Sequence, residues 1–140
     1  MTALSTAPVY TIGVAARLLG ISSHLLRVYE KEGFIISFRT SGGHRLYSDL
    51  EIEKVRCLRH MITEQGMNYQ GIRRLLALVP CWKIRKCEMN DRNECSAFLN
   101  ITMPCWATEA KCLHPLESCR DCTVYQSVIN CDQLKQLIFE

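Results

Sequence analysis

Residues 11–30 read TIGVAARLLGISSHLLRVYE and predict two short helices joined by a tight turn. Thr11 can cap the first helix, and the apolar residues that follow it recur at helical spacing. Gly20 ends that helix, and Ser22 or Ser23 can cap the second. Two short helices connected in this way form a helix-turn-helix.

A small β-hairpin is expected after the second helix. Residues 34–38 and 45–47 are rich in aromatic and β-branched side chains, which favour strands. The run Ser41-Gly42-Gly43 between them is a turn signal. A hairpin in this position next to a helix-turn-helix would form a wing.

Two further helices complete the N-terminal unit. The run Ser48-Asp49-Leu50-Glu51 is a capping box, so a third helix should begin there and end near Gly66. Asn68 can cap a fourth helix, and Pro80 disfavours helical geometry in the residue before it. We therefore expect a mainly α fold, with a winged helix-turn-helix of four helices and a hairpin over residues 10–79, after an N-terminal tail of residues 1–9.

The second part of the chain is rich in cysteine. Eight of the nine cysteines lie between Cys81 and Cys131, and large apolar residues are scarce there. Such a segment needs crosslinks or metal to hold its shape, so residues 80–131 are expected to be small, irregular and metal-stapled. Residues 132–140 are expected to form a short helix or tail.

The cysteine-rich segment contains a weak internal repeat. The tripeptide Pro80-Cys81-Trp82 recurs as Pro104-Cys105-Trp106, and the cysteines that follow keep step at an offset of 24 or 25 residues. This repeat predicts two half-units, each bearing thiols.

Charge and targeting signals bound the possible functions. Residues 1–80 carry ten Lys/Arg and six Asp/Glu, a balance of +4, whereas residues 81–140 carry seven and eight, a balance of −1. The chain has no run of 18 apolar residues, and Met1–Val9 does not read as a signal peptide, so we expect a cytoplasmic protein without a membrane partner. In a reducing compartment clustered cysteines are more often metal ligands or redox switches than structural disulfides.

Residues from Tyr10 to Tyr69 resemble the MerR family of bacterial transcription regulators. The resemblance rests on Tyr10-Thr11-Ile12-Gly13-Val14-Ala15, Gly20-Ile21-Ser22, Leu26-Arg27-Val28-Tyr29-Glu30, Ser41-Gly42-Gly43-His44-Arg45-Leu46-Tyr47-Ser48 and Ile52-Glu53-Lys54-Val55. It covers roughly the first 80 residues. It implies a winged helix-turn-helix that binds near-palindromic double-stranded promoter DNA as a homodimer and acts on RNA polymerase indirectly, by distorting the promoter.

The sequence departs from the family pattern at two places. Val28 stands where many members have a tyrosine. The long dimerisation helix that usually follows the DNA-binding unit is absent or very short, because Gln133–Phe139 is the only late helix-like stretch and seven residues are too few for a stable coiled coil.

The candidate DNA-binding residues lie on the second helix and the wing. The resemblance implies that the second helix enters the major groove and that the wing follows the DNA backbone. They are Ser22, Ser23, His24, Arg27, Tyr29, Arg39, Gly43, His44, Arg45 and Tyr47. Hydroxyl and guanidinium groups suit phosphate and base-edge contacts. Tyr29 can instead pack against the first helix, and Arg27 and Arg45 can be solvated surface charges.

The candidate metal ligands divide into two sets of thiols. The first set is Cys105, Cys112, Cys119 and Cys122, which includes the sole Cys-x-x-Cys pair, and the second is Cys81, Cys87, Cys95 and Cys131. Zinc and iron–sulfur clusters both favour four thiolates, and the sequence leaves the two undecided. A dithiol–disulfide switch and an inert or partner-binding knob remain open, and Cys57 is expected to be a buried apolar residue.

Together these patterns predict a DNA-binding transcription regulator controlled by a cysteine-ligated metal or redox centre. The alternative is a DNA-binding module whose zinc-stapled tail docks a protein partner without sensing. A thiol oxidoreductase using Cys119 and Cys122 would leave the first 80 residues without a role. No catalytic constellation is present in the sequence, so an enzyme is not expected.

Overall fold

The computed structural model describes residues 4–79, 81–85, 93–107 and 119–127. The elements are β1 (Tyr10–Thr11), α1 (Ile12–Leu19), α2 (Ser23–Lys31), β2 (Phe38–Arg39), β3 (Arg45–Tyr47), α3 (Asp49–Thr63), α4 (Tyr69–Ala77), α5 (Cys81–Ile84), α6 (Ser96–Leu99) and α7 (Thr123–Ser127), with 3₁₀ turns at Cys105–Ala107 and Cys119–Asp121. The expected mainly α fold is confirmed. Across the described ranges, each helix is too short or too polar to cross a membrane.

The helix-turn-helix forms where the local signals predict it. Thr11 accepts a hydrogen bond from the Val14 N–H at the start of α1, and Ser22 accepts one from the Leu25 N–H at the start of α2. Gly20 lies between the helices at φ +67°, the left-handed geometry that most side chains avoid. The cap and turn residues therefore fix how α2 leaves α1.

The wing differs from the expected hairpin in two respects. β3 pairs antiparallel with β2 on one side and with β1 on the other, which gives a three-stranded sheet in the order β1-β3-β2. β2 also begins later than the predicted strand of residues 34–38, and Phe34 and Ile35, which precede it, bury their side chains in the core. The connection between α2 and the wing is thus anchored from inside the molecule.

The third and fourth helices begin at the predicted caps. Glu51 Oε1 accepts from the Ser48 N–H at 2.9 Å, which completes the capping box of α3, and Asn68 accepts from the Gly71 N–H at 2.8 Å in α4. α3 ends at Thr63, three residues before Gly66, near which it was expected to end. The main core lies where these helices meet α1, α2 and the sheet, and its buried members are Ala15, Leu26, Tyr29, Phe34, Ile35, Tyr47, Ile52, Val55, Leu58, Met61 and Ile72.

A second, smaller core joins the cysteine-rich part to the first unit. Val79 and Val124 are buried against each other, and Cys81, Cys105 and Cys122 pack around them. The predicted boundary residue Pro80, the short helix expected over residues 132–140, and Cys87, Cys112 and Cys131 lie outside the described residues. The cysteine-rich segment, called the tail below, therefore has described residues that pack directly on the N-terminal unit.

The two Pro-Cys-Trp repeats place their tryptophans alike. Trp82 packs edge-to-face on Phe98 with ring centroids 5.1 Å apart, and Trp106 does the same on Tyr125 at 5.3 Å. Each half-unit is thus built on one aromatic pair of a geometry that aromatic rings favour.

Candidate nucleic-acid interface

One face of α2 presents short polar groups and an arginine to solvent. Ser22, His24 and Arg27 are exposed, and Ser23 is half-buried. The opposite face, with Leu26, is buried in the core. This amphipathic arrangement leaves hydroxyl groups, an imidazole and one guanidinium on the solvent-facing side of α2.

The wing turn is held in shape by its own backbone. The Thr40 N–H donates to the His44 carbonyl at 3.0 Å, the Gly43 N–H donates to the Thr40 carbonyl at 2.9 Å, and Thr40 Oγ1 accepts from the His44 N–H at 3.1 Å. Gly43 has φ +82°, so this position favours glycine. The His44 side chain is exposed at the tip.

Glu30 joins α2 to the wing, a role that the sequence did not indicate. Glu30 Oε2 lies 2.8 Å from Arg45 Nε and 3.7 Å from Arg39 Nη2. The hydrogen bond to Glu30 raises the pKa of Arg45 above its usual value. Both predicted wing arginines therefore lie beside α2, held by a single carboxylate.

Two residues of the predicted DNA-binding set have buried side chains, which disfavours them as DNA contacts. Tyr29 and Tyr47 are both 0% exposed. Tyr29 lies on the apolar face of α2, three residues after Leu26, and its hydroxyl accepts from Arg59 Nη1 at 3.1 Å. That spacing was a usable signal for a core tyrosine. Burial raises the pKa of Tyr47 to about 12, with Glu30 adding to the effect.

The described cysteines of the two predicted sets occupy different environments. Cys81 belongs to the second set, yet it packs on the same small core as Cys105 and Cys122 of the first. Cys95 is buried and Cys119 is exposed. Within the described ranges, no three His, Cys, Asp or Glu side chains are placed to hold a metal ion together.

Cys57 makes a bond beyond its expected role. It lies on α3, half-buried against the main core, as an apolar residue would. Its sulfur also takes part in a disulfide, which the sequence did not predict.

Comparison with known proteins identifies the N-terminal unit. Residues 10–78 match the family model described as MerR HTH family regulatory protein. The N-terminal half of the chain is therefore a MerR-family helix-turn-helix domain, as the resemblance in the sequence predicted.

Several curated proteins are similar over this unit. The heat shock protein HspR of Streptomyces coelicolor is 39% identical over 71 residues, which cover 51% of this chain and 47% of HspR. The HTH-type transcriptional regulator GlnR of Bacillus anthracis is 30% identical over 73 residues, covering 52% and 56%. The HTH-type transcriptional regulator ZntR of Escherichia coli is 31% identical over 70 residues, covering 49% of each.

The matched part spans about half the length of these relatives. It ends at residue 78, before the cysteine-rich segment. GlnR and ZntR are named as regulators, in agreement with the expectation that this chain is not an enzyme.

Proposed function

We propose that the protein is a transcription regulator that binds double-stranded promoter DNA as a homodimer. The observation that carries this proposal is the exposed polar face of α2 next to the wing arginines that Glu30 holds. In this reading α2 enters the major groove, with Arg27 at base edges and Ser22, Ser23 and His24 near phosphates, and the wing follows the backbone.

Replacing Arg27 tests this assignment. A guanidinium bound to a base edge contributes to both the binding free energy and the discrimination between bases. Arg27→Ala should therefore weaken binding to a selected operator by about tenfold and relax the sequence preference at one base pair. Arg56→Ala is the matched control, because Arg56 is exposed on α3 and pairs with Glu53. Binding would be followed by fluorescence anisotropy on duplexes selected from a random library. Equal losses in the two variants would contradict the assignment.

We propose that the cysteine-rich segment holds a zinc ion or an iron–sulfur cluster that controls the regulator. Support comes from the sequence, in which eight cysteines lie between Cys81 and Cys131 and include the pair Cys119 and Cys122. Thiolates are ligands that both centres favour, and four of them complete either kind of site.

Metal analysis and a visible absorption spectrum of anaerobically purified protein separate the two centres. A cluster gives stoichiometric iron and sulfide with visible absorbance, and zinc gives a colourless protein with stoichiometric metal. A folded protein without metal would contradict the proposal. Operator affinity that ignores chelators and oxidants would favour a zinc-stapled tail that only docks a partner.

A further inference from the structure

Glu51 is a buried carboxylate that does more than cap α3. Its side chain is 1% exposed, and Oε1 accepts from the Ser48 N–H and, at 2.6 Å, from the Ser48 hydroxyl. Oε1 also accepts from Arg120 Nη2 at 2.8 Å, and Oε2 accepts from the Tyr125 hydroxyl at 3.0 Å. A buried charge needs such partners, and two of them come from the tail.

Lys54 lies one turn after Glu51 on α3 and makes a second set of contacts with the tail, through two aromatic rings. Its Nζ lies 4.3 Å from the centroid of the Tyr125 ring and 5.2 Å from that of Trp106. An ammonium at these distances over aromatic rings is attracted by their electron-rich faces. α3 therefore binds the tail through a carboxylate and an ammonium in adjacent turns.

The same two aromatic residues also bind the connection between α2 and the wing. Trp106 Nε1–H donates to the Gly33 carbonyl at 2.9 Å, and the Ile36 N–H donates to the Tyr125 hydroxyl at 3.0 Å. A Cβ placed on Gly33 would lie 2.4 Å from the Ala107 Cβ, so the tail touches the backbone there. Both ends of the short connection, residues 33–36, are thus held from outside the N-terminal unit.

Cysteines flank the contact residues within the tail. Cys105 directly precedes Trp106, and Cys119 directly precedes Arg120. The Cys122 carbonyl accepts from the Gln126 N–H at 3.0 Å in the first turn of α7, the helix that carries Tyr125. A change of bonding at any of these sulfurs would therefore act on the backbone that positions the contacts.

We propose that residues 104–107 and 119–127, the clamp segment, hold the α2–wing connection in place and thereby set the affinity for DNA. Through the same contacts the clamp segment transmits changes at its cysteines to the connection. This proposal rests on the proposed DNA-binding function, and the clamping itself does not depend on which ligand the thiols take. Glu51 binds the clamp segment to α3, and the Tyr125 hydroxyl links Glu51 to the Ile36 N–H of the connection.

Tyr125→Phe tests the clamp segment most directly. It removes the hydroxyl that joins Glu51 to Ile36 and keeps the ring against Trp106 and Lys54. Hydrogen exchange of the Ile36 amide should speed up by about tenfold, because a buried N–H loses its acceptor. Affinity for the selected operator should change by about fivefold or more, the usual range of coupling between sites.

Ser127→Ala is the matched control, because Ser127 lies on the same helix and its hydroxyl donates to the Val124 carbonyl at 2.9 Å. It should leave exchange and affinity at the wild-type level. If Tyr125→Phe does not fold, as judged by circular dichroism, Trp106→Phe replaces it. This change removes the donor to the Gly33 carbonyl and leaves a smaller aromatic ring beside Tyr125 and Lys54. Wild-type exchange over residues 33–39 and wild-type affinity in the folded variant would overturn the proposal.

A second arm separates clamping from thiol control. Wild-type protein is titrated with Zn²⁺ and then EDTA, and separately with diamide, which takes two hydrogens from a pair of thiols as they form a disulfide. The expected result is a shift in operator affinity that Tyr125→Phe reduces. If none of the three reagents changes the operator affinity of the wild type, but Tyr125→Phe alters affinity and exchange, thiol control is contradicted and clamping is supported. A response of full size in Tyr125→Phe overturns transmission through the clamp segment.

Discussion

At the residue scale, Glu30 places a negative charge inside the surface proposed to bind DNA. Its side chain is 16% exposed, and it binds Arg45 closely and Arg39 more loosely. Phosphates approaching this surface must compete with Glu30 for both guanidinium groups. The residue therefore orients the arginines and at the same time weakens their attraction for any phosphate backbone.

Replacing Glu30 by glutamine should strengthen binding to unrelated duplex DNA. The change removes one negative charge and releases Arg39 and Arg45, so the salt slope of log K should steepen by about one unit. Glu53→Gln is the matched control, since Glu53 pairs with Arg56 away from α2 and the wing. Anisotropy titrations at several salt concentrations measure both quantities. Weaker binding with an unchanged slope would mean that Glu30 only positions the arginines.

Lys54 gives the stability of the protein a dependence on pH. Burial lowers the pKa of Lys54 from 10.5 to about 7, and Glu51 offsets part of that shift. Tyr125 and Trp106 face the ammonium from the tail, and Arg120 is bound to the same Glu51. Between about pH 7 and pH 10.5 the unfolded chain binds more protons at this site than the folded one, so this contribution to stability rises with pH.

Lys54→Met should therefore be more stable than the wild type at pH 6, by on the order of a few kcal/mol, because no charge is buried. The difference in unfolding free energy should shrink as the pH rises to about 9. Urea denaturation at several pH values measures it, with the exposed Lys31→Met as a control whose difference stays constant. A difference for Lys54→Met that does not change with pH would show that the aromatic rings keep the ammonium charged.

At the element scale, the connection between α2 and β2 combines a left-handed glycine with a close contact. Gly33 has φ +88°, and Gly20, which ends α1, has φ +67°. Around Gly20 a Cβ would meet no atom within 4 Å, whereas at Gly33 it would meet Ala107. The two glycines thus share a backbone requirement, and only one of them also borders the tail.

Gly33→Ala should consequently destabilise the protein more than Gly20→Ala. Both substitutions carry the cost of a left-handed residue, about 1 kcal/mol, and Gly33→Ala adds a steric overlap of about 1–3 kcal/mol. Thermal and urea unfolding provide the comparison. The double variant Gly33→Ala with Ala107→Gly should recover the added loss alone. Equal losses at the two glycines would contradict a close approach of Ala107.

At the scale of the whole molecule, the sequence predicted what local patterns determine. Thr11, Ser22 and Asn68 cap their helices because each side chain reaches a backbone N–H only three residues ahead. The bond from Glu51 to Ser48 has the same short reach. Residues three positions apart at the start of a helix are also close in space, so such contacts can be predicted from the sequence, and the predicted helix starts are correct.

The remaining features depend on residues far apart in the chain. Glu51 meets Arg120 and Tyr125, which lie 69 and 74 positions away, and Trp106 meets Gly33 across 73. No periodicity marks such a pair. The division of the cysteines into two sets was likewise drawn from spacing along the chain, whereas Cys81 and Cys105 are brought together by the second core. The tail therefore looked independent in the sequence and is packed on the first unit in the structure.

The placement of the tryptophans allows intrinsic fluorescence to follow the cysteine-rich part of the protein. Trp82 and Trp106 are the two tryptophans of the chain, and both lie in the cysteine-rich part. Trp106 lies beneath the Lys54 ammonium and donates to the Gly33 carbonyl, an environment that contact with water would change. Emission in an otherwise tryptophan-free molecule would thus report undocking of the tail in real time, without a label, while the helix-turn-helix contributes no signal.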